Sequence, residues 1–108
     1  MAAGAGQKDE QVQKPGNGVT APRIVREVKP NYTRDAMDAK IQGAVWLEAV
    51  VLEDGTVGTV KVTKSLDTEH GLDEEAVKAM KQWTFKPGTK DGKAVPVQIE
   101  VEMTFRLK

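Results

Sequence analysis

Asp73, Glu74 and Glu75 are three consecutive carboxylates, the densest set of groups in the chain that could move a proton. General acid–base catalysis would need two of them to converge on one cleft with their pKa values driven apart. Consecutive helical positions point in different directions, so the three read as the acidic first turn of a helix. His70 is the single histidine. It precedes the same helix in a polar loop, no triad is spaced around it, and it reads as a surface side chain. With one imidazole and no cysteine, thiol catalysis, thiolate zinc, disulfides and any site built on two histidines are excluded. Gly55, Gly58 and Gly92 are isolated turn glycines and form no phosphate loop. Lys61 and Lys64, and the trio Lys86, Lys90 and Lys93, are interleaved with acids and short of aromatics, which marks solvated faces. The side chains thus offer no set for an enzyme, a metal or a cofactor.

The main chain offers more. Val95, Val97, Ile99, Val101, Met103, Phe105 and Leu107 alternate without a break with Pro96, Gln98, Glu100, Glu102, Thr104 and Arg106. Strict period two predicts a strand with one buried and one wet face. A long regular strand at a sheet edge presents a row of unpaired N–H and C=O groups. Such an edge is either guarded, as outward Glu100 and Glu102 and the early Pro96 would do, or used to pair with another chain. A second candidate surface is Trp46, Val50 and Leu52, on the open side of another strand, with the N-terminal segment as partial cover.

The elements that must position this edge follow from periodicity. Met1 to Pro22 has almost no large apolar residue and reads as a disordered tail or linker remnant, with the domain occupying 23–108. Tyr32, Ala36, Met37 and Ile41 predict a short helix, with Thr33 as N-cap and Gly43 as its stop. Ala44–Leu52 and Val57–Ser65 predict strands joined by an Asp54-Gly55 turn, with a bulge at Gly58. Leu72, Ala76, Ala79, Met80 and Trp83 make the apolar stripe of a second helix, stopped by Pro87-Gly88. A polar loop, Thr89–Lys93, leads to the last strand. The expected fold is α+β, a two-layer sandwich with two helices on one face of a three-stranded antiparallel sheet, order 2-1-3, the last strand at an edge. At 108 residues and 11.8 kDa there is room for one domain. Sixteen basic against sixteen acidic residues argue against nucleic-acid binding and against an anionic membrane surface. No apolar run spans a membrane and no signal peptide is visible, so the chain as written reads as a soluble piece.

From about Arg26 to Lys108 the residues resemble the C-terminal domain of the TonB energy-transducer family. The resemblance rests on an ordered set: Pro30-Asn31-Tyr32, Gly43-Ala44-Val45-Trp46-Leu47, Asp54-Gly55-Thr56-Val57, Val60 to Ser65, Leu72 to Ala76, Lys81 to Pro87, and Asp91 to Val97. It implies a periplasmic domain, tethered to the inner membrane by an N-terminal helix and a Pro-rich linker. It implies a partner, the TonB box of an outer-membrane receptor, added as a strand to the last strand, and a motor complex reached through the anchor. It implies site residues: Lys29, Pro30, Asn31 and Tyr32, and the backbone of Val97, Gln98, Ile99, Glu100, Val101, Glu102, Met103, Thr104 and Phe105. A proline at Val101 is the change expected to break strand addition. Some members carry Gln where this chain has Lys29, and Pro is common where it has Thr33. The anchor helix is absent from these residues, so the piece is expected to bind without transducing. A homodimer through the edge strand is a further expectation. A TolA-like envelope domain, or an accessory or sensor domain of a peptidase or signalling protein, is the alternative, to be told apart by upstream sequence.

Overall fold

In the computed structural model, which describes residues 12–107, the predicted alternation of the first long strand is realised: Val45, Leu47, Ala49 and Val51 are fully buried. The elements run β1 (Arg23–Arg26), α1 (Arg34–Asp38), β2 (Gly43–Val51), β3 (Val57–Lys64), α2 (Leu72–Lys81), β4 (Thr84–Lys86), β5 (Thr89–Lys90), β6 (Lys93–Ala94) and β7 (Val97–Phe105). The main sheet is antiparallel with order β3-β2-β7, the expected 2-1-3 arrangement. Ala36 of α1 and Leu72, Ala76, Ala79 and Met80 of α2 join the inward strand residues, Trp83, Phe85, Met103 and Phe105 in one core. Burial of these apolar side chains is what holds the two layers together.

Thr33 caps α1 as expected, its Oγ1 accepting from the Ala36 amide at 3.1 Å. The helix ends earlier than the sequence predicted. Lys40, not Gly43, takes the left-handed conformation, at φ 56°. Its amide donates to Met37 and that of Ile41 to Ala36, both at 3.0 Å, closing a Schellman-type end. On β3 the register against β2 slips between Val60 and Val57, the stretch that contains Gly58. The Asp54-Gly55 turn does more than join strands. Gly55 sits at φ 87°, where an added Cβ would lie 2.0 Å from the Phe85 carbonyl oxygen, and its own carbonyl accepts from the Phe85 amide at 2.8 Å. Only glycine fits so close an approach.

Three features differ from expectation. Arg23–Arg26 forms a strand with Thr84–Lys86, Ile24 opposite Phe85, where the sequence suggested only a chain entry and a helix exit. The polar loop is a small hairpin, β5–β6, turning at Asp91 and Gly92, both at positive φ. The last strand begins at Val97 instead of Val95, because the Val95 amide is drawn to the Gly88 carbonyl at 3.0 Å. Residues 1–11 of the expected tail lie outside the described residues. From Gln13 to Thr20 the chain is hydrogen-bonded to Pro96, Gln98 and Thr89, so this part of the segment is strapped to the domain where a disordered tail was expected.

Candidate functional site

β7 pairs with β2 along its whole length, from Val97 opposite Val51 to Phe105 opposite Gly43. The phase of its hydrogen bonding is fixed at one point. The Gln98 amide donates to the Gln13 carbonyl at 2.8 Å, away from β2. A strand residue points its N–H and C=O to the same side, and successive residues alternate. Gln98, Glu100, Glu102 and Thr104 therefore face the open edge with their main-chain groups. Val97, Ile99, Val101, Met103 and Phe105 face β2. The Val101 amide belongs to the internal ladder, so a proline there strikes the sheet itself. That corrects the expected disruption: the edge is read at Glu100 and Glu102.

Beyond Thr104 the edge runs into a groove of about 300 Å³. Its apolar walls are Val28, Pro30, Tyr32, Trp83, Met103 and Phe105, and Glu27, Lys29 and Arg106 rim it. Three contacts build it. The Tyr32 ring meets Phe105 edge-on at 5.4 Å between centroids. The Tyr32 hydroxyl donates to the Ile41 carbonyl. The Trp83 indole N–H donates to the Val28 carbonyl at 2.8 Å and pins the segment before α1 against the end of α2. The groove thus joins both halves of the predicted site, Lys29, Pro30 and Tyr32 with Met103, Thr104 and Phe105. Asn31 is exposed and does not line it. Val97 is buried at the far end of β7, Val101 is half-buried, and Gln98, Ile99 and Glu100 flank Lys14 and Pro15. On the open face Trp46 is exposed, opposite Lys64 and Glu102, while Val50 and Leu52 are half-buried.

Sequence reasoning missed Trp83 as a wall of the groove. It lies two residues past the end of α2, in phase with the helix's apolar stripe, and periodicity cannot separate a core indole from one whose N–H reaches across to another segment. Trp83→Phe keeps an aromatic ring but shortens it and removes the donor, leaving the Val28 carbonyl without its indole partner. Loss of about 2 kcal/mol in urea unfolding is the expected result, from the lost hydrogen bond and the lost buried volume together.

The loop before α2 is knitted by two aspartates. Buried Asp67 accepts from the amides of Glu69 and His70 at 3.1 Å and of Leu72 at 3.3 Å, and its carboxylate meets His70 Nδ1 at 3.0 Å. Thr33 Oγ1 donates to the His70 carbonyl at 2.7 Å, which ties this loop to the cap of α1. His70 is therefore a paired side chain, where the sequence suggested a free surface one. The hydrogen bond its ring donates to the Asp67 carboxylate raises the His70 pKa above 6.5. Burial pushes the Asp67 carboxyl up, but the His70 ring and the three amides outweigh it and hold it below 3.8. The imidazolium contribution is full below pH 6.5 and is lost as pH rises through the higher folded value. The Asp67 contribution is present above pH 3.8 and is lost as pH falls through its lower folded value. The stability gap between the wild type and His70→Asn should accordingly be wider at pH 5.5 than at pH 8.5, read from urea midpoints. An equal gap at both pH values would refute the pairing.

Residues 28–107 match the family described as Gram-negative bacterial TonB protein C-terminal. Protein tonB2 of Pseudomonas aeruginosa is 37% identical over 78 residues, covering 72% of this chain and 28% of that protein. Protein TonB of Vibrio cholerae is 34% identical over 91 residues, covering 83% of this chain and 37% of its own length. The chain spans about a third of the length of these curated relatives. The solution NMR structure of the Pseudomonas aeruginosa TonB CTD shares the fold with a TM-score of 0.66 and 26% identity, over 86% of this chain and 90% of that one. With the edge strand and all of the groove but Glu27 inside the matched residues, the chain belongs to the TonB protein C-terminal family.

Proposed function

We propose that the domain is the receptor-binding end of a TonB-type energy transducer. It works in the periplasm and takes the TonB box of an outer-membrane receptor as an added strand on β7. The observation that carries this reading is one continuous surface. The edge-facing groups of Glu100, Glu102 and Thr104 lead directly into the groove between Lys29–Tyr32 and Met103–Phe105. Main-chain bonds along the edge supply affinity, and the groove selects one side chain of the incoming strand. Among the described residues no helix is long and apolar enough to cross a membrane, so coupling to an inner-membrane motor is a property of the longer protein we envisage. The family is one of non-enzymatic interaction domains, and we assign this chain no catalysis and no cofactor. Pairing of two copies through β7 would use the same edge and compete with the receptor. No observation favours the TolA-like or accessory reading over this one.

The test is an NMR titration with short peptides from the periplasmic N-termini of TonB-dependent outer-membrane receptors. Amide shifts should concentrate at Val97–Phe105 and Lys29–Tyr32. Shifts confined to the open face around Trp46 would move the site, and none at millimolar peptide would sink the proposal.

A further inference from the structure

The segment ahead of β1 contains Gly16-Asn17-Gly18-Val19. Gly16 and Val19 exchange two backbone hydrogen bonds of 3.0 Å around Asn17 and Gly18, which lie at φ 54° and 86°. A central pair at positive φ is what a two-residue type I′ turn requires and what Asn-Gly supplies. The turn is anchored to the domain. The Val19 side chain is buried, and Thr20 donates through its amide to the Thr89 carbonyl at 2.8 Å and shares a hydroxyl–hydroxyl bond of 2.8 Å with Thr89.

From this anchored turn the chain reaches back to the receptor-binding edge. The Gln13 amide donates to the Pro96 carbonyl and the Gln13 carbonyl accepts from the Gln98 amide, each at 2.8 Å. These two bonds make one complete parallel rung opposite Val97. A second rung would need residue 15 to donate to the Gln98 carbonyl and accept from the Glu100 amide. Residue 15 is proline, which has no N–H to give. Lys14 and Pro15 nevertheless stand beside Gln98, Ile99 and Glu100.

We infer that residues 13–15 are an intramolecular competitor for the receptor-binding edge: Gln13 holds its first rung, and Pro15 keeps the strap from taking the next. The inference rests on the proposed function, since the competitor matters only if a partner strand uses β7. An incoming strand confined to Glu100–Phe105 binds beside the strap. One that extends to Gln98 must displace Gln13.

Two variants of the full chain separate the possibilities. Gln13→Pro removes the donor to Pro96, and Pro15→Thr supplies the missing donor to Gln98. Amide hydrogen exchange without peptide comes first. The Gln98 amide should exchange about tenfold faster in Gln13→Pro, and the Glu100 amide more slowly in Pro15→Thr. A synthetic twelve-residue peptide spanning a receptor TonB box then serves as the probe. Gln13→Pro should bind it about three- to tenfold tighter than wild type, and Pro15→Thr weaker by a similar factor, the range set by one or two hydrogen bonds. Unchanged Gln98 exchange in Gln13→Pro, or equal affinities in all three chains, overturns the competition and leaves the transducer reading standing. Binding by none of the three sinks the transducer reading, and the competition falls with it.

Discussion

Glu102→Pro is expected to lower the affinity for a TonB-box peptide at least about tenfold while the domain stays folded. The Glu102 main chain faces the open edge, because the Gln98 amide four residues earlier does so. Proline there removes a donor that no other strand among the described residues uses, and edge strands accept proline on that side. The incoming strand loses a main-chain bond of about 0.5–1.5 kcal/mol and meets the pyrrolidine ring where it must approach closely. Glu102→Ala is the control, since it removes the carboxylate and leaves the N–H. If Glu102→Ala weakens binding as much as Glu102→Pro, charge and not strand addition carries recognition. Val101→Pro gives the opposite outcome. Val101 stands opposite Leu47, which is fully buried, and its N–H faces β2. Removing that donor leaves a buried carbonyl without a partner and costs on the order of 3 kcal/mol of stability. Peptide binding is then lost through unfolding, and circular dichroism separates the two cases.

The second large effect lies far from the edge. Asp73→Ala should lower the unfolding free energy by about 3 kcal/mol, read as a shifted urea midpoint at constant slope. The Asp73 carboxylate is buried and accepts from the amides of Leu66 at 3.0 Å and Asp67 at 3.1 Å, and from the Ser65 hydroxyl. Alanine leaves the Leu66 amide half-buried and the Asp67 amide buried, both without their acceptor. Glu74→Ala, one residue on and exposed, should fall within about 0.5 kcal/mol of wild type. Equal effects at the two positions would mean that Asp73 acts only as helix-end charge.

That contrast shows where the sequence was legible. Asp73, Glu74 and Glu75 were rightly read as the first turn of a helix, because charge at a helix end is a local property. Which of the three turns inward was not legible, since it depends on where the loop from Ser65 to His70 packs. The sheet order, the buried faces of β2 and β7 and the Thr33 cap were legible for the same local reason: period two and side-chain capping need only neighbours in sequence. β1 was not, because four exposed residues become a strand only through Phe85 and Thr84, some sixty positions away. The turns at Asn17-Gly18 and Asp91-Gly92 were missed although both dipeptides signal a tight turn, because polar composition hid them. At the site, the two segments were legible and their meeting was not. It needs the Tyr32–Phe105 ring contact and the Trp83–Val28 bond, both long-range.

The pairing of β7 with β2 runs through nine consecutive residue pairs without a slip, whereas β2 against β3 shifts register twice. The mechanical consequence concerns a pull on this edge. Tension directed along β7 slides the two strands past each other and strains every rung at once, so rupture requires all of them to give way together. Tension directed across β7 opens the same rungs one after another, as a zipper does. A strand added to the edge would be gripped in the same way. The domain would therefore hold against a lengthwise pull and let go under a sideways one, which makes the direction of force a determinant of release.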